Sequence, residues 1–261
     1  MSSLSVEQFY AIGIIPARYA SSRLPGKPLS LIAGKPMIQH TYERAQLSGS
    51  LRRVVVATDD ERIVQCVRAF GGDAVLTPAD CATGSDRCWS VLAQFDAAEL
   101  ARIDVVVNVQ GDEPLVDPAH IDLLVAALRA EPAIPIAACC APLHDEASAV
   151  DPNVTKVVMD ARSNAIYFSR ALVPHSKSGR WSASTAYFRN CGMYAYRTPF
   201  LRRYCEQPIG PLQAAEDLEQ LKVLEMGERM KMCVVPFVEP GIDTPEQLAA
   251  MDARLRGQQQ I

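Results

Sequence analysis

Short apolar runs recur along this chain, separated by amphipathic stretches, and that alternation limits the folds open to it. Ile12–Ile15, Val54–Ala57 and Asp104–Val109 are apolar almost throughout, as strands covered on both faces of a sheet must be. Met37–Leu47, Asp60–Phe70 and Asp86–Phe95 carry the spacing of amphipathic helices, and Gly71-Gly72 stops the second of them. Ala74–Leu76 adds a short strand. Buried strands joined by helices predict an α/β fold with a mostly parallel central sheet. Such sheets bind ligands beyond the carboxyl ends of their strands, so the loops after Ile15, Ala57 and Val109 are expected on one rim.

The pattern changes past Pro135. Ile136–Ala141, Lys156–Met159, Ala165–Phe168 and Met193–Tyr196 read as strands around a polar stretch from His175 to Thr185. This β-rich portion, about residues 136–200, is expected to form a small extension that mediates subunit contact. Leu212–Met226 reads as one long amphipathic helix stopped by Gly227. Met232–Val235 is a strand, and Thr244 with Pro245 starts the last helix as N-cap and first position. With no internal repeat, residues 1–261 are expected to form a single domain, and 257–261 a flexible tail.

A net charge of −4 argues against a nucleic-acid-binding protein, which usually carries a strong basic excess. The opening Met1-Ser-Ser-Leu-Ser-Val-Glu-Gln lacks the basic region and apolar core of a signal peptide, and no apolar run is long enough to cross a membrane. The eight cysteines include no Cys-x-x-Cys pair, and several lie in apolar runs. Reduced, buried thiols and a cytoplasmic location are expected.

The chemistry concentrates in the loop after the first strand. Ile15-Pro-Ala-Arg-Tyr-Ala-Ser-Ser-Arg-Leu-Pro-Gly-Lys27 gathers Arg18, Arg23 and Lys27 with the hydroxyls of Ser21 and Ser22. Three cations and many donors suit a polyphosphate, although neither the Walker spacing nor Gly-x-Gly-x-x-Gly is present. Lys27 is expected to be solvated until an anion arrives. Asn108-Val-Gln-Gly-Asp112 follows an apolar strand, and Pro240-Gly-Ile-Asp243 precedes a helix. Two rim carboxylates facing three cations suit Mg²⁺ on a nucleotide, since Mg²⁺ binds few protein oxygens and fills its shell from phosphate and water. Thr83-Gly-Ser-Asp-Arg87 offers further donors. Each motif also has a plainer reading, as a solvated basic loop or as acids and hydroxyls capping the helices that follow.

Taken together and in order, these motifs resemble the 3-deoxy-manno-octulosonate cytidylyltransferase family. Ala57-Thr-Asp-Asp60, Tyr167-Phe-Ser-Arg170, Leu218-Glu-Gln-Leu221 and Ile242-Asp-Thr-Pro-Glu246 extend the resemblance from residue 12 to about 250. It implies a nucleotide-diphospho-sugar transferase type of α/β sandwich, usually a homodimer. It also implies transfer of CMP from CTP to a 2-keto-3-deoxy sugar acid (Kdo), with Mg²⁺ and loss of pyrophosphate, for lipopolysaccharide. On this resemblance Lys27, Asp112 and Asp243 are catalytic, the two aspartates holding metal. Arg18, Ser21, Ser22, Arg23, Lys27, Arg87 and Gln110 bind the nucleotide. Arg170, Asn190, Tyr194, Glu219 and Gln220 bind the acceptor.

Two positions depart from the family pattern. Asn190 stands where the family usually has His, and Gln213 where it has Glu. Both lie in the acceptor half. They are compatible with neutral drift, or with a different acceptor such as 8-amino-Kdo, a sialic-acid-like sugar or a phosphonate. A nucleotide-binding module without catalysis is a further alternative, opposed by the intact Lys27, Asp112 and Asp243.

Overall fold

A computed structural model describes residues 9–21 and 23–258. Strand β1 (Ala11–Ala17) leads through a loop and a 3₁₀ turn (Lys27–Leu29) to a small two-stranded arm, β2 (Leu31–Ile32) and β3 (Lys35–Pro36). Then follow α1 (Met37–Gln46), β4 (Leu51–Thr58), α2 (Glu61–Ala69), β5 (Ala74–Leu76), α3 (Gly84–Leu92), α4 (Ala97–Arg102), β6 (Val105–Asn108) and α5 (Pro118–Ala130). The second half holds β7 (Ile136–Leu143), α6 (Glu146–Val150), β8 (Lys156–Met159), β9 (Ala165–Ser169), β10 (Tyr187–Arg197) and α7 (Thr198–Glu206). It ends with α8 (Pro211–Glu216), α9 (Leu221–Glu225), β11 (Met230–Val234) and α10 (Pro245–Gln258).

The main sheet runs β11-β7-β10-β6-β1-β4-β5. Strand β1 lies parallel to β4 and β6, β4 to β5, and β11 to β7, while β10 alone runs against its neighbours β6 and β7. The expected mostly parallel sheet is therefore present. The ends of β1, β4 and β6 open on one rim, as the alternation of runs predicted. Because β10 is antiparallel and pairs Tyr194 with Asn108 at the end of β6, its earlier residues extend past that rim.

The β-rich stretch 136–200 divides: β7 and β10 are interior strands of the main sheet, whereas β8 pairs with β10 and carries β9 outward. Helices α1, α2 and α5 cover one face of the sheet, closing a core around Ile15, Val56, Val107 and Leu124. Helices α3, α7 and α9 cover the other, around Ile14, Val55, Val106 and Phe200. A third cluster joins the β2–β3 arm to α10 through Ile32, Met37, Ile242 and Met251, and Asp252 accepts the Ala33 N–H at 2.7 Å. Burying each such aliphatic side chain is worth about 1.5–3 kcal/mol, enough to hold α10 and the residues before it against the arm.

Three expectations need correction. The long helix over 212–226 is two short ones, because Asp217 adopts the left-handed conformation (φ 51°) and breaks it. Asp tolerates that region better than most residues, so the hydrophobic spacing gave no warning. The strand at 193–196 runs from Tyr187 to Arg197, with an irregular register between Asn190 and Tyr194 that its mixed composition concealed. Gly257 and Gln258 are helical, the last turn of α10, while 259–261 lie outside the described residues.

The cysteines are unpaired, and Cys88, Cys139, Cys140, Cys191 and Cys233 are buried. Burial pushes the Cys233 thiol up to about 11 and Cys191 up to about 12, so these thiols stay protonated. No helix among the described residues is long and apolar enough to cross a membrane.

Candidate functional site

A cavity of about 480 Å³ opens on the rim where β1, β4 and β6 end. The loop after β1 forms one wall. Gly26 is left-handed (φ 69°) and donates its N–H to the Tyr19 carbonyl at 3.0 Å, closing the loop so that Lys27 turns inward. The Tyr19 ring packs beside Gly26 and under the Arg62 guanidinium, 3.4 Å from its centroid, and Arg62 is in turn held by Asp60. Across the cavity Gly111 lies so close to the Pro16 carbonyl that a Cβ would stand 2.6 Å from it. Only glycine lets the loop carrying Asp112 pass this near to β1.

The structure brings most of the predicted nucleotide residues into this one cavity. Arg18, Ser21, Arg23 and Lys27 line one side, and Arg87, Gln110, Asp112, Glu219 and Asp243 line the others. Ser22 lies outside the described residues. Lys27 is not the solvated cation the loop suggested. Its Nζ donates to Asp112 Oδ2 at 2.7 Å and to Asp243 Oδ1 at 3.1 Å, and the side chain is only 15% exposed. Arg23 reaches the same Asp243 oxygen at 3.2 Å from a largely exposed position. The two acids therefore share one cation at a single point, because pairing with Lys27 offsets the repulsion between them.

Asp243 is fixed by the start of α10. Gln247 Oε1 accepts the N–H groups of Asp243 and Thr244, while Thr244 Oγ1 accepts the Gln247 N–H at 3.3 Å. This reciprocal cap confirms Thr244 as the residue that starts the last helix. Gln110 donates to the Gly192 carbonyl at 2.6 Å, tying the β6 loop to the part of β10 that passes the rim.

Arg87 lines the cavity but is 1% exposed and already engaged. Its Nη1 donates to Thr77 Oγ1 at 2.6 Å, and its Nη2 lies 3.5 Å from Asp59 Oδ2. Thr83 and Asp86 form a capping box at the start of α3, and Ser85 Oγ bonds the Tyr196 hydroxyl and Glu219 Oε2. The Thr-Gly-Ser donors are thus largely spent within the protein. Asp59 has no role in the sequence reading, although it ends an apolar run at the same rim as Asp112, a usable signal.

The predicted acceptor residues are less tightly grouped. Glu219 faces the cavity, and burial raises its carboxyl above the usual range, with Asp86 adding to the rise while Ser85 and Lys222 oppose it. Asn190 Nδ2 donates to the Tyr194 hydroxyl at 2.8 Å, and Asn190 Oδ1 is buried with no hydrogen-bond partner among the described residues. Burial raises the Tyr194 hydroxyl, keeping it protonated. Gln220 is buried at the start of α9. Arg170 does not point its guanidinium at the cavity: Nε, Nη1 and Nη2 donate to the carbonyls of Glu216, Pro152 and Asp217. Beside Asp112, the half-buried Glu113 is pushed up to about 8 by burial and then by the Asp112 carboxylate, against the pull of Arg189. Among the described residues no three His, Cys, Asp or Glu side chains cluster as a metal cage; Asp112 and Asp243 are the two carboxylates that converge on Lys27.

Known proteins similar to this chain are cytidylyltransferases. A family model described as cytidylyltransferase matches residues 12–230. The chain is 46% identical over 245 residues to the mitochondrial 3-deoxy-manno-octulosonate cytidylyltransferase of Arabidopsis thaliana, covering 94% of this chain and 83% of that protein. It is also 46% identical over 243 residues to the 8-amino-3,8-dideoxy-manno-octulosonate cytidylyltransferase of Shewanella halifaxensis, covering 93% and 97%. A solved structure of CMP:2-keto-3-deoxy-manno-octonic acid synthetase complexed with CTP superposes with a TM-score of 0.88 at 40% identity, covering 95% of this chain and 99% of that one.

Proposed function

The chain belongs to the 3-deoxy-manno-octulosonate cytidylyltransferase family, and from that premise we propose that it transfers CMP from CTP to Kdo with release of pyrophosphate. The observation that carries this reading is the Lys27 ammonium bridging Asp112 and Asp243 on the floor of a cavity walled by Arg18 and Arg23. A cation already stands between the two carboxylates, so their oxygens fit a divalent ion. They are the residues that would hold Mg²⁺, which supplies the Lewis acidity that lowers the pKa of the acceptor hydroxyl.

In the reaction the anomeric hydroxyl, next to the acceptor carboxylate, attacks the α-phosphorus of CTP in line. A new P–O bond forms as the bond to the β-phosphate breaks, the hydroxyl proton passes to water, and pyrophosphate carries the electrons away. No covalent enzyme intermediate is required. Arg18, Arg23 and Lys27 offset the charge that collects on the leaving group, while Ser21, Arg87 and Gln110 complete the nucleotide pocket. Glu219 and Gln220 orient the sugar acid with Tyr194 and Asn190. Holding both substrates in one cavity supplies most of the rate enhancement.

The product fits lipopolysaccharide synthesis in the cytoplasm, and β8 and β9, projecting from the sheet, are the surface proposed for a homodimer. A pyrophosphate-release assay with CTP and Mg²⁺ tests the acceptor directly, using Kdo, its 8-amino analogue, a sialic acid and a phosphonate in parallel. Fastest release with Kdo is expected. Faster release with another acid reassigns the acceptor, and no release with any leaves only a nucleotide-binding module.

A further inference from the structure

Between α8 and α9 the chain breaks at Asp217, whose left-handed conformation (φ 51°) leads into Leu218, Glu219 and Gln220; Glu219 lines the cavity, while Leu218 and Gln220 are buried beside it. A break in the left-handed region is strained for a non-glycine residue and persists only where its surroundings hold it. What holds this one is a reciprocal clamp from the end of β9. The Glu216 carboxylate accepts from Ser169 Oγ and from the Arg170 N–H, each at 2.8 Å. Arg170 answers by donating Nε to the Glu216 carbonyl at 2.6 Å and Nη2 to the Asp217 carbonyl at 3.1 Å. Lys156, itself fully buried, donates to the Arg170 carbonyl at 2.6 Å and to the Asp151 carbonyl at 2.7 Å, anchoring the β9 side.

Glu216 is the last residue of α8, where the helix dipole disfavours a carboxylate, so helix stability is no reason for an acid there. It also lies outside the cavity lining, so it is not placed to touch either substrate. Its two oxygens are instead used to grip a neighbouring segment of main chain. Charge-assisted bonds running both ways between two segments fix their spacing and angle more tightly than one bond does.

We propose that Glu216 is a positioning residue for the acceptor: through its clamp with Arg170 it sets where Glu219 stands in the cavity and how the adjoining Gln220 is held. The assignment rests on the acceptor role given above to Glu219 and Gln220. It also changes the part played by Arg170, which acts through the clamp.

The test uses the full chain with Glu216→Ala, Glu216→Gln, Arg170→Ala and the double variant Glu216→Ala/Arg170→Ala. For Glu216→Ala the KM for Kdo is expected to rise about ten- to a hundredfold, the scale of loss when a reacting group is misplaced from a distance. The CTP dissociation constant, measured by calorimetry, should stay within about twofold. Glu216→Gln, which keeps one acceptor oxygen, should fall between wild type and Glu216→Ala. The double variant should be no worse than the poorer single one, because both substitutions open the same clamp. Hydrogen exchange of the Leu218–Gln220 amides should quicken in all four variants, and this readout needs no substrate.

Unchanged exchange and unchanged acceptor KM overturn the proposal. So does a fall in CTP affinity matching the fall in acceptor affinity, which marks a general structural loss. Additive effects in the double variant would return Arg170 to direct contact with the acceptor. A wild type that turns over no Kdo sinks the functional reading alone, since exchange at 218–220 still decides whether the clamp exists.

Discussion

The Ile242 N–H donates to the Asp112 carbonyl at 2.9 Å, and this one bond joins the loop after β6 to the loop before α10. Asp243 follows Ile242 directly, so the bond makes neighbours of two acids far apart in sequence. Ile242 is itself buried in the cluster that docks α10 on the β2–β3 arm. Asp112→Asn and Asp243→Asn should therefore leave the fold intact while each lowers turnover by about two to four decades at saturating Mg²⁺. Steady-state rates together with circular dichroism check this, and near-normal turnover in either variant removes that residue from the metal site.

Lys27 occupies the point where Asp112 and Asp243 converge, so a divalent ion held by these two acids, as proposed, would have to compete with it there. The Lys27→Gln protein, titrated with Mn²⁺ in the absence of nucleotide, should bind the ion about tenfold or more tightly than wild type, because a charge-assisted competitor is gone. The same variant should bind CTP more weakly. Equal Mn²⁺ affinity in the two proteins means that Lys27 and the ion do not share a position.

Glu219 provides one source of pH dependence. Burial raises its carboxyl in the folded protein, so above the ordinary carboxylate value of 4.5 the native state keeps a proton that the unfolded chain has released. Stability from this group is thus complete at low pH and declines as pH rises toward the raised value. Glu219→Gln should remove that decline. In thermal melts from about pH 5 to about pH 8, the melting temperature of the variant relative to wild type should climb with pH. A constant difference means that Glu219 titrates normally.

Asn190 tests the acceptor side. Its Nδ2 fixes the Tyr194 hydroxyl while its buried Oδ1 has no partner among the described residues. Leaving such a group unpaired costs about 1–3 kcal/mol, so replacing the amide should shift the ratio of kcat/KM for Kdo and 8-amino-Kdo by roughly ten- to a hundredfold. Asn190→His, assayed on both acids at matched Mg²⁺, gives that ratio. No shift assigns the substitution to neutral drift.

The sheet and the rim cavity that gathers the loop cations were legible because both are written locally. Apolar runs such as Val54–Ala57 become parallel strands wherever helices cover them, and the rim rule then brings together the loops carrying Lys27 and Asp112, whereas Arg87 is placed by the family resemblance. Several helices passed unnoticed although Asp96, Asp117 and Asp145 cap their starts with side-chain hydrogen bonds. Their apolar residues are too few or too evenly spread to signal a face. The placement of Arg170, Asn190, Tyr194, Glu219 and Gln220 depended on contacts between distant segments. Neither the break at Asp217 nor the capture of Arg170 by carbonyls leaves any periodic trace, and the pairing of Lys27 with two acids is invisible until the fold brings them together.

Following the phosphorus nuclei of CTP by NMR during incubation with Kdo and Mg²⁺ addresses the chemistry most directly. The expected result is a new phosphodiester signal, from CMP joined to the sugar acid, growing in step with one equivalent of free pyrophosphate. Release of inorganic phosphate, or of pyrophosphate with no sugar-linked CMP, would contradict attack of the Kdo hydroxyl on the α-phosphorus.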